Sequence, residues 1–339
     1  MAFQQPLPGQ RPPKKKSALP IILVVVVSLV ILVPLLGSLF SSPNEVPEKP
    51  EKPTYTATSI TSDPSDPSST ATSTPTTKPT QTYVPGPPDL NPAEAPFPET
   101  YGDMRWALFE NPLYAQELAP TECQLGEVDL VNGSVEAIEK HMNEFVACLM
   151  MAWHGPVTNA GFELPRPSVT VYTTEITTKC GEVPLYNAVY CSADQQIYYA
   201  LNIIEIFPPE LRQARFVAES VMAHEFGHGI QNRSMILGSE AVIVYEAETE
   251  DIALSASRRL EMQADCFAGA FLNSISQSTN LSTQDRQNIE AMFGSLGGTE
   301  PYSDDHGMGT NRAWWTRQGL STKTLNVCET FSVPEERVG

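Results

Sequence analysis

The sequence predicts a helix-rich α+β domain with a small sheet, set behind one membrane span and a disordered stalk. Three observations lead there: an uncharged apolar run near the N-terminus, a Pro/Ser/Thr-rich tract after it, and the return of helical and strand periodicity beyond that. Charge narrows the partners. The 339 residues carry a formal net charge of −19, and the part from residue 97 onward holds all of that excess. A field of that sign repels nucleic acid and anionic membrane surfaces, so no nucleic-acid partner is expected for the domain.

Residues 1–17 form a basic tail with Arg11, Lys14, Lys15 and Lys16. Residues 18–40 are 23 consecutive uncharged residues dominated by Ile, Leu and Val, long enough to cross a bilayer core as one helix. The basic flank places the N-terminus inside and everything after the span outside, as in a single-pass protein of the cytoplasmic membrane. A cleaved signal peptide is the competing reading, disfavoured by the length of the run and the lack of a clean small-x-small site. Between Ser41 and Thr100 fall 14 of the 30 prolines, with few large apolar side chains. Residues 41–96 therefore cannot bury enough surface to offset the entropy of ordering, and read as a disordered stalk. Residues 97–339 remain as one folded domain.

Within the domain, Asn132-Gly133-Ser134 precedes Val135, Ile138, Met142, Phe145, Leu149 and Trp153 at helical spacing, until His154-Gly155-Pro156 signals a stop. Extended segments follow at 168–175, 188–191 and 195–201, so a small sheet is expected. Pro208-Pro209-Glu210 opens a long helix through Gln231, because proline is tolerated where no backbone donor is needed. Further helices are expected at 255–275, 284–293 and 310–317.

The chemistry concentrates on two of these helices. His224-Glu225-Phe226-Gly227-His228 is an HExxH motif, and residues four apart on a helix lie one turn above each other, so both imidazoles reach one ion. Glu225, beside the first ligand, is placed as the base for the attacking water of a hydrolytic zinc site. A catalytic zinc needs a third protein ligand. Glu261 and Asp265, again four apart, suit that ligand and an acceptor for a ligand histidine's other N–H, which fixes its tautomer. Taken alone, the pair reads as a solvated helical face; beside HExxH, the metal reading takes precedence.

Here the string resembles a known group. HExxH followed by Glu-x-x-Ala-Asp resembles the gluzincin metallopeptidases, and Gln263-Ala264-Asp265-Cys266-Phe267-Ala268-Gly269 resembles the bacterial neutral zinc metallopeptidase family. Tyr190-Cys191-Ser192-Ala193-Asp194-Gln195 with Tyr198, and His306-Gly307 followed by Arg312 and Trp315, are similar to two further segments of that family. The resemblance covers roughly residues 169–331. It implies a zincin-like fold, peptide hydrolysis, and one zinc ion per chain with His224, His228 and Glu261 as ligands and Glu225 as catalytic base. Ser192 stands where the family has proline, and Met308-Gly309 is inserted after His306-Gly307, which loosens any role carried over to His306.

Amide hydrolysis benefits from a donor aimed at the developing oxyanion. His306 is the catalytic candidate for that task, with Tyr245 and Tyr302 weaker ones. Arg312 is expected to pair with Asp304 or Asp305 rather than touch substrate, and His141 and His154 to pack or cap the first helix. An extended peptide is expected to align along the strand at 195–201 by main-chain pairing.

All six cysteines lie beyond the apolar run, on the side where disulfides persist. Cys180 and Cys191 flank one turn and strand, Cys123 precedes the helix holding Cys148, and elimination leaves Cys266 with Cys328. No CxxC spacing supports a thiolate zinc site. The expected function is a membrane-anchored, extracytoplasmic zinc metallopeptidase acting on peptide, protein or cell-wall substrates. A non-catalytic cell-envelope binding module on the same fold, and an endopeptidase or amidase on peptidoglycan stem peptides, are the alternatives.

Overall fold

The computed structural model describes residues 83–91, 104–299 and 305–339. The expected span at 18–40 and most of the stalk lie outside the described residues. Among those described, no helix is long and apolar enough to cross a membrane. The domain is a helix-rich α+β fold with two small sheets.

Short α1 (Trp106–Phe109) leads through a 3-10 turn, Pro112–Ala115, to α2 (Val135–Asn159). Ser134 caps α2, its hydroxyl accepting the Ala137 N–H at 3.2 Å. The helix does not stop at His154-Gly155-Pro156. Pro156 only forfeits one hydrogen bond, and it is buried together with Val157, so packing carries the helix onward. The end comes at Gly161, whose φ of 90° lets the Phe162 N–H reach back to the Val157 carbonyl at 3.1 Å.

Strands β1 (Val169–Tyr172), β4 (Ala188–Cys191) and β5 (Gln196–Ala200) make the main sheet in the order β1-β5-β4. β5 runs parallel to β1, with Val169 opposite Ile197, and antiparallel to β4, with Ala188 opposite Tyr199. A hairpin of β2 (Ile176–Thr178) and β3 (Gly181–Val183) stands apart from it. Its strands are too short to print an alternating pattern in the sequence.

Two left-handed residues divide the stretch of chain after the sheet. Phe216 (φ 61°) separates a 3-10 turn, Pro209–Leu211, from α3 (Val217–Arg233), so the helix opens at Val217 instead of Pro208. The strain of that conformation, about 1 kcal/mol or more, is offset by burying the Phe216 ring to 8% exposure. Met235 (φ 69°) then separates α3 from α4 (Ile236–Glu246), an unforeseen helix whose apolar string gives no amphipathic signal. Val242, Val244 and Tyr245 of α4 face outward.

Helix α5 (Glu250–Ser274) is central: α3, α4 and α7 (Gly309–Leu320) pack on it, and α6 (Thr283–Leu296) packs on α7. Glycines set the closest approaches. A Cβ at Gly227 would sit 3.3 Å from Ala264 Cα, so α3 and α5 cross nearly backbone to backbone. A Cβ at Gly269 would collide with the Thr316 carbonyl oxygen and come within 2.8 Å of the Leu320 nitrogen, which locks α5 against α7.

The disulfides are Cys123–Cys148, Cys180–Cys191 and Cys266–Cys328, the expected pairing. One boundary needs correction. Residues 83–91, assigned to the stalk by composition, lie against the domain: Tyr83 stacks on His154 at 3.8 Å, and Asp89 pairs through its main chain with Arg166 and the Gln196 side chain. Composition cannot register one aromatic ring and a few main-chain bonds. We expect Gly269→Ala to lower stability by about 1–3 kcal/mol, because neither facing backbone can yield, as read by the urea midpoint.

Candidate metal centre

The crossing of α3 and α5 builds the site. His224 and His228 lie one turn apart on α3, their rings edge to face at 4.7 Å between centroids and their Nε2 atoms 3.1 Å apart. Glu261, delivered from α5, sets one oxygen 3.2 Å from His224 Nε2 and the other 3.4 Å from His228 Nε2. Three donor atoms from these residues lie within 4.8 Å of one another.

Outer groups orient the imidazoles. His224 Nδ1 meets Asp265 Oδ1 at 2.8 Å. Arg312 of α7 holds Asp265 with a two-point contact, Nε to Oδ2 and Nη2 to Oδ1, both 2.8 Å. Arg312 is 3% exposed, so the expected pairing with Asp304 or Asp305 gives way to a buried one with Asp265; buried charges must find partners, and surface acids have water. His228 Nδ1 meets Gln231 Oε1 at 2.8 Å. The sequence reading missed Gln231, although its position three residues after His228 puts it on the same helical face.

Both Nδ1 atoms therefore face acceptors, which turns both Nε2 lone pairs toward one point beside a carboxylate. Without a cation such an arrangement is repulsive. A tetrahedron with bonds of about 2.0–2.1 Å has edges of roughly 3.3 Å, close to the 3.1 Å between the two Nε2 atoms and to the distance from each to its own Glu261 oxygen, so two imidazoles and a carboxylate so placed suit zinc. Burial pushes the His228 imidazole down to about 4, with the charge on His224 adding to it. At His224 burial acts the same way, but Asp265 and Glu261 outweigh it and lift the value to about 10. Two imidazoles and a carboxylate here contend for one positive charge.

Glu225 lies on α3 beside His224, and its Oε2 accepts the Tyr190 N–H of β4 at 2.8 Å. Burial lifts its carboxyl to about 7, and Glu261 adds to that against His224, the Tyr190 N–H and His306. A main-chain donor leaves no trace in the sequence. β5 is flanked by β1 and β4, so the expected alignment along 195–201 has no open edge, while β4 lies at the sheet's edge and borders α3.

His306 precedes α7, with Nδ1 2.7 Å from Asp305 Oδ1, and its charge acts on both Glu261 and Glu225. Burial disfavours its protonation, but Glu261 and Asp305 outweigh that and raise its pKa. The adjoining Gly307 (φ 72°) is wedged against the Val338 carbonyl and Met262, and the inserted Met308-Gly309 starts α7. Tyr245 is 79% exposed, and Tyr302 lies outside the described residues. His141 is packed in the core, as expected, and pairs with Glu219 at 3.0 Å.

With this geometry in place, comparison with known proteins is decisive. Residues 115–331 match the family described as "Putative neutral zinc metallopeptidase". The chain belongs to that family. Among similar proteins, Uncharacterized protein Mb2605 of Mycobacterium bovis is 27% identical over 222 residues, covering 57% of this chain and 73% of its own length. Uncharacterized protein YpfJ of Escherichia coli is 28% identical over 193 residues, 53% of this chain and 66% of its own. No solved structure matches the chain. The matched region spans α2 through α7, so every residue of the donor set and its outer partners falls within the family segment.

The Asp265–Arg312 pair generates a test of the site's scaffold. Burial works to raise the Asp265 pKa, but Arg312 and His224 outweigh it and hold it below the usual carboxylate value. The stabilisation is thus present at neutral pH and lost as pH falls below about 4. Arg312→Leu should cost about 3–5 kcal/mol at pH 7 by stranding a buried charge, and should flatten that acid dependence in urea titrations.

Proposed function

We propose that the chain is a zinc-dependent peptidase that cleaves peptide bonds outside the membrane, with His224, His228 and Glu261 holding the ion and Glu225 acting as base. The observation that carries this reading is the convergence of three donor atoms beside a carboxylate that a strand N–H holds in place. A bound zinc ion supplies Lewis acidity to the attacking water and the scissile carbonyl.

The chain's own groups do the rest. Tyr190 fixes one Glu225 oxygen, which leaves the other for chemistry, and a carboxyl near neutrality can take the proton of the attacking water and return it to the leaving amine. Asp265 keeps His224 as an Nδ1–H donor, which leaves Nε2 for the ion. His306, with its proton retained by Glu261 and Asp305, serves as donor to the oxyanion. The substrate backbone adds along β4, the strand bordering α3, with side chains alternating between site and solvent.

The extracytoplasmic setting rests on the apolar run at 18–40 with its basic flank and on the three disulfides. Peptides, proteins and cell-wall stem peptides all present the amide this site would cut.

Glu225→Gln should retain zinc and lose at least about 1,000-fold in kcat on a peptide library; equal turnover would overturn the reading. His306→Gln should lower kcat by about 100-fold with little change in KM. The acid limb of kcat/KM should lie at or below pH 7, since Glu225 works only when ionised and a nearby cation lowers its pKa.

A further inference from the structure

An imidazole offers a lone pair at Nε2 only when its proton sits on Nδ1, so each ligand histidine needs an acceptor there. For His224 the acceptor is the Asp265 carboxylate, which when ionised can only accept. For His228 it is the Gln231 amide at 2.8 Å, and an amide presents oxygen or NH2 according to which way it is turned. Something has to turn it.

Gln231 Nε2 lies 2.8 Å from the Leu260 carbonyl and 3.1 Å from Gln263 Oε1. Gln263 Nε2 in turn donates to the Cys328 carbonyl at 3.0 Å and to the Tyr114 hydroxyl at 2.9 Å. Tyr114 completes the chain by donating to the Leu108 carbonyl at 3.0 Å. All three ends are main-chain carbonyls, which cannot donate. Gln231 and Gln263 are 0% exposed, so water is in no position to supply a missing donor. Turning Gln231 over sets its oxygen against Leu260 O and Gln263 Oε1 at once. Turning Gln263 as well only moves the conflict to Cys328, and each buried acceptor left facing another costs about 1–3 kcal/mol.

We propose that Gln231, held in one orientation by the Leu260 carbonyl and by the Gln263–Tyr114 chain ending on Cys328 and Leu108, is the positioning residue that keeps His228 in its Nδ1–H tautomer with Nε2 directed at the metal ion. The proposal rests on the zinc reading for the identity of that ion, and on geometry alone for the tautomer. The relay joins α3, α5, α1, the turn carrying Tyr114 and the C-terminal segment tied to α5 by Cys266–Cys328. The orientation of one ligand is thereby set by carbonyls far from it in sequence.

Histidine nitrogen–proton correlation spectra of the full chain, stripped of metal by chelator, read the tautomer directly. His228 should be Nδ1–H in the parent. In the near-isosteric Gln231→Met it should lose that preference. Zinc affinity by chelator competition should fall about 10–100-fold in Gln231→Met, with His228→Ala marking the loss of a ligand. Gln263→Met should weaken zinc by a smaller factor, because Leu260 still holds Gln231. An Nε2–H tautomer for His228 in the parent, or a folded Gln231→Met with parental tautomer and zinc affinity, overturns the proposal. A parent that binds no zinc would defeat the metal reading, and the tautomer would still decide this one.

Discussion

Asp265 lies fully buried on α5, accepting from His224 of α3 and from Arg312 of α7. A carboxylate in that position without both partners would be an uncompensated charge in a medium of low dielectric, at a cost of several kcal/mol. The three helices are therefore obliged to meet where they do. The meeting point is also the candidate metal centre, so the energetic demand of one buried acid and the convergence of His224, His228 and Glu261 are met by the same contacts. That coincidence makes the site rigid. The positions of these side chains follow from the core instead of from loops, which is what preorganisation requires.

The close crossing has its own causes. Gly227 lies inside the HExxH motif, and its missing side chain lets α3 approach Ala264 of α5 within van der Waals contact. Glu261 reaches the two imidazoles only because that separation is small. On the far side Gly269 and Gly319 bring α7 in, and with it Arg312. The Cys266–Cys328 bridge then joins α5 to the C-terminal segment, whose Val338 carbonyl meets Gly307 beside His306. Helix α5 thus carries Glu261 of the candidate donor set, the acid that orients His224, a disulfide and two glycine-limited contacts along one length.

Charge has two scales in this molecule. Over the whole chain the excess is acidic, which favours solubility and discourages anionic partners. Within the site the carboxylates of Glu225, Glu261 and Asp265 face two imidazoles and Arg312, a balance that depends on burial as much as on sign. Glu225 is lifted toward neutrality by burial, which its one N–H partner offsets only in part, while Asp265, equally buried, is held down by the Arg312 guanidinium and His224. Two acids in one site acquire opposite proton affinities from their surroundings.

The elements legible in advance were those whose signal is local: the spacing of Ile138, Met142, Phe145 and Leu149 marks α2, the HExxH spacing pairs His224 with His228, and Glu261 with Asp265 shares a face for the same reason. The cysteine order sufficed for the three bridges. What stayed hidden depends on contacts between segments distant in sequence. The left-handed break at Phe216, the run of α2 past Pro156 and the packing of residues 83–91 on the domain each follow from burial against parts of the chain the local pattern does not mention. Arg312 finding Asp265, Tyr190 donating its N–H to Glu225, and Gln231 donating to the Leu260 carbonyl and the Gln263 side chain of α5 are likewise products of packing. The sequence by itself determined which donor atoms exist and which lie one helical turn apart. Only the tertiary structure decided how they are oriented, because orientation is set by buried hydrogen-bond partners that come together when the helices cross.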